Sequence, residues 1–174
     1  MTQRFGHSDE FLRKVSPETQ IAFAQNVEAA IMGDYPTLTD IKLCYGSSFP
    51  VQWLLPQIVD MTLFVGAKNL DERQQIQLAQ VIAVEYHYLK VTEFLVFFHR
   101  FKSGRYGRFY GAVDPLVITC AIRDFISERN EFIAVYEQQE RERREAEQKK
   151  DAMSREEWIE IKTIIAMYNP EYTT

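Results

Sequence analysis

The sequence contains few of the residues on which turn-rich or cross-linked folds depend. Its 174 residues include seven glycines, six prolines, two cysteines and three histidines. So little glycine and proline argues against a β architecture built on many tight turns. Cys44 and Cys120 are far apart, each inside an apolar, helix-like stretch, which argues against a disulfide framework. We expect both cysteines to be small buried hydrophobes in a reducing, cytoplasmic compartment.

Segments typical of export or membrane insertion are also lacking. Residues 1–14 are mixed polar without an apolar stretch, so we expect no secretory signal. The most apolar window, residues 49–67, has the length of a membrane span, but it contains Gln52, Pro56, Gln57 and Asp60. Because polar groups at mid-span are costly in hydrocarbon, this window predicts a buried core helix and no membrane contact.

Apolar residues arranged at helical spacing are plentiful. Hydrophobic residues make up 46% of the chain and aromatics 13%, enough for one substantial core. Capping patterns precede most apolar stretches. We predict an all-α, irregular multi-helix bundle, with helices beginning at Ser16-Pro17, at Thr37 or Thr39, at Ser48, at Asn69, at Thr92 and at Asp114-Pro115. The run at residues 78–89 is apolar nearly all round, which predicts a central helix.

The chain changes character after residue 136. Residues 137–157 contain eight acids and six bases, with only Ala146, Ala152 and Met153 apolar. We predict a helical core domain over residues 1–136 and a long, charged, solvated helical extension over residues 137–174, which belongs to the same domain and is not independent. Ser154 with Glu157 predicts the cap of a final amphipathic helix.

The final helix carries one apolar stripe, which we call the C-terminal stripe. It consists of Trp158, Ile161, Ile165 and Tyr168 at helical spacing. Such a stripe has to be covered by the chain's own domain, which we favour, by a second copy, or by another protein. These four residues are therefore the predicted partner-binding residues.

A basic segment interrupts the otherwise acidic protein. The net charge is −5, but residues 90–113 hold five bases and one acid. Within them lies the basic-aromatic segment, residues 100–110, with a loop or short hairpin predicted at residues 103–113. Aromatic faces stack on bases and arginines neutralise phosphates, so the candidate nucleic-acid-binding residues are Arg100, Lys102, Arg105, Tyr106, Arg108, Phe109 and Tyr110. The alternative is internal packing, with the rings turned inward and the arginines paired to nearby acids.

No arrangement in the sequence is typical of catalysis or metal binding. His7, His87 and His99 form no ligand pair at helical spacing, and no serine or cysteine lies in a nucleophile context. Asp124, Glu128 and Glu131 share a helix face, but nearby arginines favour a solvated, salt-bridged surface. We predict no enzymatic activity, no metal and no cofactor.

Several of these patterns resemble a family of uncharacterised small bacterial helical proteins. The likeness rests on the Tyr45-Gly46 turn, the helix carrying Trp53, the aromatic run ending at Phe101, the Gly104 to Gly111 motif and the Asp114-Pro115 and Glu128-Arg129 pairs. It covers most of the chain up to the charged helix. The resemblance implies no known activity and no catalytic residues, and it implies a phage or mobile-element setting with a role near DNA.

Two hypotheses for function remain open. The first is a non-catalytic binding or adaptor protein that contacts DNA or RNA through the basic-aromatic segment. The second is a protein-interaction or structural subunit without a nucleic-acid role, in which the C-terminal helices make a homodimer or dock on another protein.

Overall fold

The protein is all-α, as predicted. The computed structural model describes residues 5–65, 70–107 and 114–168, apart from the side chains of residues 151–156, 163, 165, 166 and 168. These ranges contain no β-strand; one isolated antiparallel bridge joins Thr37 to Lys90. Their helices are α1 (Ser8–Lys14), a 3-10 helix (Pro17–Thr19), α2 (Gln20–Gln25), α3 (Val27–Met32), α4 (Leu38–Tyr45), α5 (Phe49–Val65), α6 (Glu72–Glu85), α7 (Val91–Lys102) and α8 (Pro115–Tyr168).

The central helix is α7. Nine of its twelve residues are buried, and it packs against α2, α3 and α5. The prediction that residues 78–89 form the central helix is wrong, because α6 buries only Leu78, Ala79 and Ile82 and leaves Val84 exposed. Phenylalanines explain the difference, since four aromatic rings on α7 remove far more apolar surface from water than the aliphatic side chains of α6.

The apolar window at residues 49–67 is a core helix, as predicted. It forms α5, whose buried residues include Trp53 and Gln57. Trp53 Nε1 donates to the carbonyl of Val15 at 2.9 Å, and Gln57 Nε2 donates to the same carbonyl at 3.0 Å. Gln57 Oε1 accepts from Gln20 Nε2 at 2.7 Å. These bonds satisfy polar groups inside the core and tie the N-terminal segment to α5.

The N-terminal third contains more and shorter helices than the sequence predicts. Helix α1 has no counterpart among the predicted helices. The capping pattern at Ser16 predicts a single helix to Gly33, but the chain leaves helical geometry at Asn26, where φ is −127° and ψ is 69°. The Asn26 side chain then accepts from the backbone N–H of Ala29 at 3.1 Å and caps α3. Asparagine favours such a cap because its short amide competes with the helical backbone.

Several predicted caps shift by one or two residues. Thr37 caps α4 as predicted, together with Asp40. The cap of α6 is Asp71, which bonds reciprocally with Gln74, while Asn69 lies outside the described residues. At the start of α7 the backbone N–H of Lys90 donates to Glu93 at 2.7 Å. Thr92, the predicted cap, is buried and donates to the carbonyl of Ala30 at 2.7 Å.

Helix α8 runs without interruption over 54 residues. The predicted start of a separate helix at Ser154 is wrong, since a serine three residues before a glutamate is equally compatible with a helix interior. Neither glycine nor proline occurs between Pro115 and Asn169 to end the helix. The boundary between two compact units, Met1–Arg129 and Asn130–Thr174, falls within α8. In the first unit, α8 contributes Ile118, Ile122 and Phe125 to the core.

Candidate functional site

Lysine 90 opens the basic stretch and serves the fold. Its ammonium Nζ donates to the carbonyls of Ile31 at 2.6 Å and of Gly33 at 2.8 Å. These carbonyls belong to the end of α3, where unsatisfied acceptors and the helix dipole attract a cation. The positive charge of Lys90 therefore stabilises the end of a helix.

Two arginines of the basic-aromatic segment converge on one carboxylate of α8. Arg100 Nη1 donates to Glu128 Oε2 and Arg105 Nε donates to Glu128 Oε1, each at 2.9 Å. The side chain of Arg105 is 53% exposed, whereas that of Arg100 is largely covered and lies over the Phe125 ring. The hydrogen bond to Glu128 raises the pKa of Arg105. Both guanidinium groups thus share one carboxylate, whose single negative charge offsets one of their two positive charges.

Lysine 102 points to a different helix. Its Nζ donates to Asp60 Oδ2 of α5 at 2.7 Å and lies 5.6 Å from the centre of the Phe64 ring. Each cation of the segment that the structure describes is therefore paired with an acid that lies at least 23 residues away in sequence.

Tyrosine 106 turns inward. Its ring stacks on that of Phe97, with centroids 5.8 Å apart. The hydroxyl is buried and has no hydrogen-bond partner among residues 5–65, 70–107 and 114–168. Burial, reinforced by the charge of Glu128 and opposed by nearby Arg100, raises the pKa of Tyr106 to about 12. This residue packs as the internal alternative predicts.

The remaining candidates of the segment are Arg108, Phe109 and Tyr110, which lie outside the described residues, as does most of the predicted loop or hairpin at residues 103–113. The described part ends in a turn in which Gly104 and Gly107 adopt positive φ values of 78° and 108°. Such angles favour glycine over residues with a Cβ. This turn brings Arg105 to Glu128 and Tyr106 to Phe97.

A second ion pair between α7 and α8 lies deeper. Arg129 Nε donates to Glu93 Oε1 at 2.6 Å, and the Glu93 side chain is fully buried. Sequence reasoning grouped Arg129 with the acids of its own helix and did not single out Glu93. The signal was present, because Glu93 is the one acid in the aromatic helix Val91–Lys102, and a buried acid needs a cationic partner.

The cysteines are not the buried hydrophobes that we predicted. Both Cys44 and Cys120 are free and exposed. Arg123 Nη2 donates to Cys120 Sγ at 3.1 Å, and this hydrogen bond raises the pKa of Arg123. Helix periodicity explains the error, since each cysteine occupies the outer face of a helix whose neighbouring positions are apolar.

The C-terminal stripe lies in the second compact unit. Trp158 is 59% exposed and Ile161 is 54% exposed, and Ile164 beside them is also exposed. Lys162 Nζ lies 4.6 Å from the centre of the Trp158 ring, one turn further along the helix. The side chains of Ile165 and Tyr168 lie outside the described part of the chain, although the backbone there is helical. Two large apolar members of the stripe therefore face solvent.

Comparison with known proteins assigns a family. A family of unknown function, DUF6633, matches residues 70–167, more than half of the sequence. The chain belongs to this family. The predicted likeness to a family without known activity is confirmed, but DUF6633 includes the charged helix and leaves out the Tyr45-Gly46 turn and Trp53. No curated protein and no solved structure matches the chain.

Clusters of metal-ligating side chains and membrane-spanning helices are both lacking in the described part of this DUF6633 member. No cluster of three or more metal-ligating side chains occurs among its described residues. None of its described helices has both the length and the apolar character needed to cross a membrane.

Proposed function

We propose that this protein is a non-catalytic interaction subunit that associates with a second copy of itself through the C-terminal part of α8. One observation carries the proposal: Trp158 and Ile161 are more than half exposed, just after the strongly charged stretch at residues 137–157. Ile159, Ile164 and Met167 of the same helix are also exposed. Large apolar side chains aligned on one face of a helix are typical of surfaces that dock on another helix.

The family match supports a role for this part of the chain. Residues 70–167 include both the charged stretch and the C-terminal stripe up to Ile165. The stripe is thus part of the region that defines the family, rather than a tail added to it.

Nucleic-acid binding receives less support. Arg100 and Lys102 already hold partners on α8 and α5, and Tyr106 stacks on Phe97. A phosphate would have to compete with Glu128 and Asp60 for these cations. Turning Tyr106 outward would also cost free energy, because its ring would lose its apolar contacts. A bacterial source and a cytoplasmic location stay predictions.

Light scattering at several protein concentrations tests self-association. We expect the full chain to approach the mass of a dimer as concentration rises, and Trp158→Asp combined with Ile161→Asp to remain monomeric. The matched control is Ile159→Asp, which also places a charge at an exposed apolar position but lies beside the stripe. A wild-type chain that stays monomeric at every concentration would refute the proposal.

A further inference from the structure

We infer that two copies pair with their C-terminal helices parallel and in register, so that Glu157 of each copy faces Lys162 of the other. This inference rests on the proposed self-association and names the residues that decide its orientation.

The spacing of the C-terminal stripe defines the register. Trp158, Ile161, Ile165 and Tyr168 follow one another at intervals of three, four and three, which is the spacing of the seam positions a and d in a two-helix coiled coil. The helical backbone continues through all four positions. Their alignment places Glu157 and Lys162 in the two positions, g and e, that flank such a seam.

Both flanking side chains are available for a partner. Glu157 and Lys162 are exposed, and neither forms an ion pair with another residue that the structure describes. Lys162 stacks over Trp158 of its own helix at 4.6 Å, which holds its ammonium group at the edge of the seam. The charge is therefore already positioned where a second helix would meet it.

Charge then selects the parallel arrangement. In a parallel pair, position g of one helix faces position e of the next heptad of the other, so Glu157 faces Lys162 twice in each dimer. In an antiparallel pair that uses the same apolar stripe, position e of one helix faces position e of the other. The two Lys162 side chains then lie opposite each other. Like charges in this geometry repel, while opposite charges attract.

Charge-reversal variants give a direct test. We expect Glu157→Lys and Lys162→Glu, each alone, to raise the dimer dissociation constant about tenfold, because two attractive contacts become repulsive. An equimolar mixture of the two variants should recover wild-type affinity. In the mixed dimer, one chain has lysine at both positions 157 and 162 and the other has glutamate at both, so opposite charges face each other again. Analytical ultracentrifugation measures both. The matched control, Glu160→Lys, makes the same charge change on the outer face of the helix and should leave the dissociation constant unchanged.

Neutralising Lys162 distinguishes the two orientations. With parallel helices, Lys162→Gln removes two attractive contacts and weakens the dimer. With antiparallel helices, it removes a repulsion and strengthens the dimer, which would overturn the inference. If the mixed sample did not recover wild-type affinity, the inference would also be overturned. The proposed function would stand as long as the wild type dimerised. A monomeric wild type would instead refute the proposed function itself.

Discussion

The carboxylate of Glu93 accepts a hydrogen bond from Arg129 at 2.6 Å inside the protein, where no part of the Glu93 side chain reaches solvent. The second oxygen of Glu93 accepts from the backbone N–H of Lys90 at 2.7 Å. One acid thereby caps the start of α7 and fixes α8 against it. The charged residues at this contact therefore hold helices α7 and α8 together.

Removing the cation should be more harmful than removing the acid. Arg129→Ala leaves Glu93 buried without its counter-charge, and we expect a loss of about 3–5 kcal/mol in the free energy of unfolding. Glu93→Gln should cost less, because a neutral amide needs no counter-charge and Arg129 is partly exposed. Urea denaturation measures both variants. Equal losses would show that the isolated buried charge is not the main cause of the destabilisation.

The two arginines that share Glu128 should contribute unequally. We expect Arg105→Gln to cost about 0.2–1 kcal/mol, because its side chain is more than half exposed. Glu128→Gln should cost about 1–2 kcal/mol, since it also leaves the largely covered Arg100 without its partner. The exposed neighbour Glu131→Gln is the control, with little change expected. Denaturant titration of the three variants would contradict this ranking if Arg105→Gln proved the most costly.

Tyrosine 106 predicts a loss of stability at high pH. Its pKa rises from an ordinary 10.0 to about 12 on folding, so between these values the unfolded chain releases a proton that the folded chain retains. The contribution is complete below pH 10 and is lost as the pH rises towards 12. Tyr106→Phe should flatten this decline relative to wild type in thermal melts at increasing pH. At neutral pH it should cost little, because the hydroxyl has no described partner. If the decline of stability with pH were the same in Tyr106→Phe and wild type, the Tyr106 hydroxyl would have to be exposed to water.

Paired cations predict weak contact with nucleic acid. We expect fluorescence anisotropy at low salt to show no more binding of a labelled single strand by wild type than by Arg105→Glu combined with Arg108→Glu. Salt-dependent binding that the double variant abolishes would instead support the nucleic-acid hypothesis.

Much of the secondary structure could be predicted because its causes are local. Thr37 with Asp40 and Asp114 with Pro115 mark helix starts within a few residues, and the apolar periodicity of α5 predicts its burial. The interruption of the helix at Asn26 could not be predicted from local pattern, since Phe23, Val27 and Ala30 continue the helical spacing across it. There the asparagine cap and the packing of two short helices against α7 outweigh periodicity.

The candidate site divides in the same way. The sequence alone identified a basic-aromatic segment and an apolar stripe near the end of α8, since charge, ring content and spacing are properties of neighbouring residues. Only the tertiary structure decided that Arg100 and Arg105 meet Glu128, that Lys102 meets Asp60 and that α7 occupies the centre of the core. These partners are separated by 23 to 42 residues. Which opposite charges come within hydrogen-bonding distance depends on how the helices pack, and packing is settled by the competition of all apolar faces for one interior.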